Sequence, residues 1–302
     1  MRVFLTGATG WIGSAIARDL LAAGHTVVGL VRSREKAAAL ADAGVRPLLG
    51  DLGDLDAIRA GADQADGIIH TAFGLDLSRI DELAAEECRA IEAFGDVFAG
   101  SDRPIVVTSG VLLTPPGETF MEDARPPVDP GFPRASEQAA FALAERGLRA
   151  SVVRNPRTVH GQGERHGFIP MLAAVARQTG VSAYVEEGRN LWPAVHRNDS
   201  APVYRLVLER AAQGEAYHAI AEEGVPFRSI AEAIGRQLGL PARSLTLGEA
   251  PAQFGGLAMW VAGNGPASSA RTRAILGWEP READLIADIE RPHYSEQARG
   301  ER

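Results

Sequence analysis

The sequence predicts an α/β protein: a doubly wound parallel sheet followed by a smaller C-terminal α/β lobe. Three observations carry this. Over residues 1–155 short β-branched runs alternate with helical patterns. Several of those runs are continuously apolar, as strands covered on both faces are. The first of them breaks into a glycine-rich turn at Gly7 that opens a helix.

In chain order, strands are expected at Arg2–Thr6, Thr26–Val31, Arg46–Leu49, Gly67–His70, Ile105–Ser109 and Ala150–Arg154. Between them Ile12, Ala15, Ile16 and Leu20 recur at helical spacing, as do Ile80, Leu83, Ala84, Ile91 and Phe94 on a longer helix. The stretch Gly110–Phe132 is Pro-rich and patternless, and loops of that length are usually functional. Beyond residue 155 the alternation weakens. Helices are expected at Phe168–Gln178, Asp199–Ala212 (capped by Asp199), Phe227–Leu238 and Ser268–Leu276, with strands at Ser182–Val185, Ala216–Ala219 and Ser244–Leu247. Residues 156–302 therefore read mainly as a substrate-binding lobe, with some segments returning to the main sheet. The tail from Ser295 is polar.

Composition narrows the function. At 302 residues and 45% hydrophobic, the chain can bury a full core. A formal net charge of −8 without any Lys/Arg block argues against a nucleic-acid surface. Lys36 is the only lysine, an imbalance typical of GC-rich coding. Cys88 is the only cysteine, so a disulfide within the chain is excluded; its mid-helix position suits a small buried hydrophobe. No signal peptide or membrane-length apolar run stands out, so a cytoplasmic location is the default expectation, and the oligomeric state is open. No histidine cluster has metal-ligand spacing, so no metal is expected.

The turn reads Thr6-Gly7-Ala8-Thr9-Gly10-Trp11-Ile12-Gly13. Gly7 permits the tight turn, Gly10 lets backbone approach a pyrophosphate, and Gly13 lets the helix pack closely. The helix start, from Thr9 through Trp11 and Ile12, offers free N–H groups to the phosphates. This is a dinucleotide site in the confirming strand–turn–helix context. After the second strand come Arg32, Ser33 and Arg34, where an NAD-selective site would place Asp or Glu; arginines suit the 2′-phosphate of NADP(H) instead. Asp51 and Leu52 follow the third strand and suit an adenine contact. Thr71, Ala72 and Phe73 follow the fourth and would skirt the riboses.

With these residues in place, the chain resembles an extended short-chain dehydrogenase/reductase, a Rossmann-fold superfamily. The T-G-x-x-G-x-x-G turn, the Asp51-Leu52 pair, the His70-Thr71-Ala72 segment and Leu276-Gly277-Trp278-Glu279-Pro280 all fit it. The resemblance implies that Thr108 and Ser109 end the strand bearing the catalytic hydroxyl. It implies that the Arg154–Gly161 stretch, with Asn155, Pro156 and Arg157, meets the nicotinamide end. The family's Y-x-x-x-K pair is missing: the matching segment is Pro133-Arg134-Ala135-Ser136-Glu137, and no tyrosine elsewhere has a lysine four residues on. The chain is similar to the atypical branch of the superfamily, which keeps the cofactor site and loses the pair.

Ser109 and Thr108 are then the candidate donors to a developing alkoxide, and His160 the candidate replacement acid. A phenol or enol beside the ketone could serve instead, as in angucyclinone-like aromatic polyketides. Two function classes stay open: an NADPH-dependent ketoreductase acting on a small molecule, and a non-catalytic NADP-binding redox sensor.

Overall fold

The computed structural model describes residues 1–74, 76–125, 127–128, 134–210 and 212–291. Seven parallel strands form the main sheet: β1 (Arg2–Thr6), β2 (Thr26–Val31), β3 (Arg46–Leu49), β4 (Gly67–His70), β5 (Ile105–Gly110), β6 (Ala150–Asn155) and, after the short β7 (Thr158–His160), β8 (Ser182–Val185) and β9 (Leu191–His196), the seventh strand β10 (Ala216–His218). The order β10-β6-β5-β4-β1-β2-β3 makes this the doubly wound Rossmann-like sheet expected from the sequence. The first winding runs outward from β1 to β3, and the second starts at β4 on the other side of β1. The crevice at the carboxyl ends of β1 and β4 is thus the topological switch point, where such sheets bind ligands.

Helices cover both faces. α1 (Trp11–Ala22), α2 (Arg34–Asp42), α3 (Leu55–Asp63), α4 (Ile80–Phe98), α5 (Ser136–Glu145) and α6 (Phe168–Thr179) precede α7 (Arg197–Arg210). α1 packs on α7 over one apolar layer, with Val3, Leu5, Ile16, Leu20 and Tyr204 buried. α3, α4 and α5 pack side by side over the opposite layer, with Phe4, Ile68, Ile91, Phe94 and Val107. Burying both faces is what makes the strands continuous apolar runs.

The second lobe is built on a three-stranded sheet in the order β11-β9-β7, with β11 spanning Glu222–Pro226, and a parallel pair of β8 with β12 (Ala242–Leu245). α8 (Phe227–Leu238), α9 (Ala250–Phe254), α10 (Ala258–Ala262), α11 (Ala270–Leu276) and α12 (Leu285–Ile289) complete it. Its own core includes Trp192, Phe227, Ile230 and Phe254. β10 and α7 return to the main sheet.

Several local expectations shift. α7 starts at Arg197, so Asp199 lies inside it; its carboxylate accepts from the backbone N–H groups of Arg281 (2.8 Å) and Glu282 (3.0 Å), and its carbonyl from Trp278 Nε1 (3.0 Å). Asp199 therefore docks the L-G-W-x-P turn instead of capping a helix. The last strand sits two residues early, because Ala242 pairs with Ser182 while Thr246 turns to bind the Glu249 carboxylate. The Gly110–Phe132 stretch is pinned partway: Phe120 bridges to Ala267. Cys88 is half-buried, not fully buried. Among the described residues no helix is long and apolar enough to cross a membrane.

Candidate functional site

At the glycine turn each glycine has a different job. Gly7 has φ +75°, and a Cβ there would lie 2.5 Å from Thr71 Oγ1 and 2.8 Å from the Ala72 nitrogen. At Gly13 a Cβ would meet the Gly7 carbonyl oxygen at 2.1 Å. Both therefore let backbone segments touch. Gly10 differs: its φ of −76° suits any residue, and an added Cβ would meet only the Gly7 oxygen, at 3.0 Å. The space beyond is open to a ligand. α1 has no acidic residue in its first turn, so nothing quenches its N-terminal N–H groups and dipole. Thr9 is exposed, Ile12 packs into the core, and Trp11 is clasped: its Nε1 donates to Val159 O (2.7 Å) and the Arg197 guanidinium lies 3.9 Å over its ring.

Past β2, Arg32 and Arg34 are exposed and have no ion-pair partner among the described residues. Between them Ser33 caps α2 by accepting from the Lys36 nitrogen (3.3 Å). Asp51 Oδ1 accepts from Gly53 and Asp54 N–H groups, which shapes the turn, and Leu52 packs against the apolar layer. The uncrowded Gly10 and an unquenched helix start fit the phosphates of a dinucleotide, and two arginines without an ion-pair partner among the described residues lie beyond β2.

The carboxyl ends of β4 and β5 hold a buried chain of polar groups. Thr6 Oγ1 lies 2.8 Å from His70 Nδ1, and His70 Nε2 lies 3.3 Å from Glu87 Oε1. Glu87 accepts from Arg134 through both oxygens, with Nη2 to Oε1 at 2.7 Å and Nε to Oε2 at 3.0 Å. Burial pushes the Glu87 carboxyl up, but Arg134 and His70 outweigh it and hold it below its ordinary value. A carboxylate there makes His70 Nε2 the donor to Glu87. Arg134 Nη2 also donates to Thr108 O (3.0 Å), and the guanidinium lies 4.3 Å over Phe73. Phe73 is thus braced by Arg134, while Thr71 Oγ1 donates to the Thr6 carbonyl and the Ala72 N–H to Thr6 Oγ1.

Thr108 and Ser109 part company. Thr108 is buried and its Oγ1 lies 3.0 Å from the Tyr204 hydroxyl, which also accepts from Asn155 Nδ2 (2.5 Å). Ser200 closes this cluster on Asn155 Oδ1 (2.7 Å). Burial pushes the Tyr204 hydroxyl up to about 12. The Thr108 and Asn155 side chains thus serve the sheet–α7 interface and are turned away from the crevice. Ser109 is half-buried at the end of β5, and its hydroxyl has no hydrogen-bond partner among the described residues. The structure does not bring His160 to it: His160 is buried, its Nδ1 lies 2.9 Å from Asp288 Oδ2 of α12, and its ring meets His196 edge-on at 5.4 Å.

Of the two positions expected from the resemblance to match the Tyr-Lys pair, Pro133 lies outside the described residues. Glu137 opens α5 and pairs with fully buried Arg154, Nε to Oε2 at 2.9 Å and Nη2 to Oε1 at 2.5 Å. Arg154 also donates to the carbonyls of Met121, Glu122 and Ala124 and to His218 Nε2 (3.1 Å). Glu137 is thus half of an internal ion pair. Arg157, expected at the nicotinamide end, instead sends its guanidinium between Trp192 and Trp260.

Glu87 and Arg134 were not read as site residues from the sequence. Glu87 had a signal: it falls on the buried stripe of α4 with Ala84, Ile91 and Phe94, and an acid on an apolar stripe needs a partner. Nothing local announces that the partner is Arg134.

A family model described as NAD(P)H-binding matches residues 7–182. An uncharacterized protein of Schizosaccharomyces pombe is 45% identical over 295 residues, covering 97% of this chain and 100% of the relative. The 4-hydroxy-2-methyl-3-oxo-4-farnesyl-3,4-dihydroquinoline-1-oxide ketoreductase of Stigmatella aurantiaca is 27% identical over 288 residues, covering 92% and 80%. The dTDP-glucose 4,6-dehydratase DesIV of Streptomyces venezuelae, solved with NAD bound, superposes with a TM-score of 0.77 at 21% identity, covering 99% and 98%, and shares the fold.

Proposed function

The chain belongs to the NAD(P)H-binding family, and we propose that it is an NADPH-dependent ketoreductase of the short-chain dehydrogenase/reductase kind acting on a small-molecule ketone. One observation carries the reading: an open dinucleotide cradle at Gly10 shares the switch-point edge with Ser109, a hydroxyl that the described residues leave unused. Arg32 and Arg34 support NADPH over NADH. When bound, the reduced cofactor supplies a hydride to the carbonyl carbon. Ser109 donates a hydrogen bond to the carbonyl oxygen and stabilises the charge that develops there. The Thr6–His70–Glu87–Arg134 chain holds Phe73 and the end of β5 in place, so positioning is carried by residues that never touch the substrate.

A lone serine is a weak acid, so the proton comes from a hydroxyl beside the ketone or from solvent. The substrate named for the Stigmatella relative has this pattern, a 3-oxo group next to a 4-hydroxyl. Aromatic polyketides of the angucyclinone kind offer it too. Neither Thr108 nor His160 enters this mechanism: the Thr108 hydroxyl is engaged by Tyr204, and His160 is buried against Asp288 of the second lobe.

The test is NADPH oxidation with hydroxyketones and their O-methyl analogues, run on wild type, Ser109→Ala and His160→Ala. Free hydroxyketones should react faster than the ethers. Ser109→Ala should slow turnover by about 10²–10³ without abolishing it, and folded His160→Ala should retain turnover. No oxidation with any ketone would favour the redox-sensor function.

A further inference from the structure

Arg157 follows Asn155, the last residue of β6, by two positions, and its side chain enters the second lobe. The guanidinium carbon lies 5.1 Å from the ring centre of Trp192 and 5.5 Å from that of Trp260. All three of its nitrogens are shielded from solvent, and none has a hydrogen-bond partner among the described residues. The indole N–H of Trp192 is likewise buried without a partner. A Cβ on Gly265 would fall 2.6 Å from Arg157 Nη2 and 2.9 Å from Leu112 O. Gly265 thus leaves room for the guanidinium beside the segment that leaves β5, three residues past Ser109.

A buried guanidinium without acceptors is costly, and a protein keeps one where a ligand supplies them. Burial alone lowers the Arg157 pKa, to about 10; no neighbouring charge contributes. The site therefore holds a single positive charge. A carboxylate matches it in charge and in the planar two-pronged geometry of the guanidinium. A phosphate dianion would leave a charge unmatched. The two indoles favour a flat, unsaturated body next to that carboxylate.

We propose that Arg157, with Trp192 and Trp260, anchors a carboxylate of the substrate, so that the enzyme takes aromatic oxo acids with the ketone directed toward Ser109. The ketone half of this statement rests on the reductase reading; the carboxylate half does not.

The experiment uses phenylglyoxylate, benzoylacetate and benzoylpropionate, which step the carboxylate away from the ketone, each against its methyl ester. For at least one pair, wild type should prefer the acid roughly tenfold to a hundredfold in kcat/KM, mostly through KM. Arg157→Met should erase that preference while leaving ester turnover within a few-fold. It should melt no lower than wild type, because it removes an unanswered buried charge. Without cofactor, the same acids should change tryptophan fluorescence in wild type and not in Arg157→Met. If Arg157→Met does not fold, Arg157→Lys takes its place: it keeps the charge, loses the two-pronged geometry, and should retain only part of the preference.

Equal rates for acids and esters, together with fluorescence changes indifferent to position 157, overturn the anion site and leave the reductase reading standing. Fluorescence changes that depend on Arg157, with no ketone reduced, overturn the reductase reading and leave the anion site standing.

Discussion

On the β1–β2 side of the crevice Arg32 and Arg34 face outward and unpaired; on the β5–β6 side, Ser109 apart, the polar groups are turned inward and paired. Arg32 and Arg34 stand exposed, and Gly10 opens onto free space. Across the switch point, Glu87 is locked to Arg134, Glu137 to Arg154, and Thr108 to Tyr204. The outward side is prepared for a ligand. The inward side is internal structure, held by buried ion pairs and hydrogen bonds. Arg157 lies on the inward side yet follows the outward logic. It leaves the strand three residues after Arg154, which has a carboxylate, three carbonyls and a histidine around it, while Arg157 meets two indole faces and no hydrogen-bond acceptor among the described residues.

The largest break would come at Gly10. Gly10→Val puts a branched side chain where the pyrophosphate must lie, at a backbone angle valine can adopt, so cofactor titration should show binding abolished while circular dichroism stays native. Arg32→Ala should weaken NADPH by about 1.5–3 kcal/mol and leave NADH unchanged. Normal NADPH affinity in both variants would mean the outward side is not a cofactor site.

Glu137→Gln tests the inward side. It strands Arg154 as a buried cation, and breaking one partner of a buried pair costs about 3–5 kcal/mol. Urea unfolding should show that loss, with cofactor affinity intact in the folded protein. A change under about 1 kcal/mol would mean the Arg154 carbonyl partners suffice and the ion pair is incidental.

The outward side was legible in the sequence because its constraints are local. A turn that needs φ +75° at Gly7, and a helix that allows no Cβ at Gly13, are written in consecutive residues. Most strands of the main sheet were legible for a related reason: burial on both faces makes several of them continuous apolar runs. The inward side resisted because its partners are distant. Glu87 and Arg134 are 47 residues apart, and His160 and Asp288 are 128 apart. A residue type names an unmet need, as an acid on the α4 stripe does, but only the fold says which residue meets it. The second lobe resisted differently: β7 has three residues and β11 carries two glutamates and a glycine, so neither shows a strand period.

The smallest effect concerns pH and His218. Its ring is fully buried and stacked on Phe120 at 5.5 Å. Arg154 Nη1 lies 3.1 Å from its Nε2, and its Nδ1 lies 2.6 Å from the carbonyl of Ser268. Since arginine can only donate, Nε2 must be the acceptor and Nδ1 the donor, which is the neutral ring. Burial first, then the Arg154 charge, lowers its pKa to about 3. The unfolded chain takes up a proton near pH 6.5, well above the folded value, so stability is full above about pH 6.5 and falls as pH drops toward about 3. The slope in that window is about 1.4 kcal/mol per pH unit. His196, which burial and His160 also lower, acts in the same direction, so the contribution must be read as a difference. His218→Gln keeps an acceptor for Arg154 and removes the titration. Melts of both proteins between about pH 5 and 7 should diverge, with wild type losing stability faster as pH falls. Parallel curves would mean that His218 stays neutral in both states or is protonated in the fold, and that the polar groups around Arg154 are not a closed, mutually satisfied set.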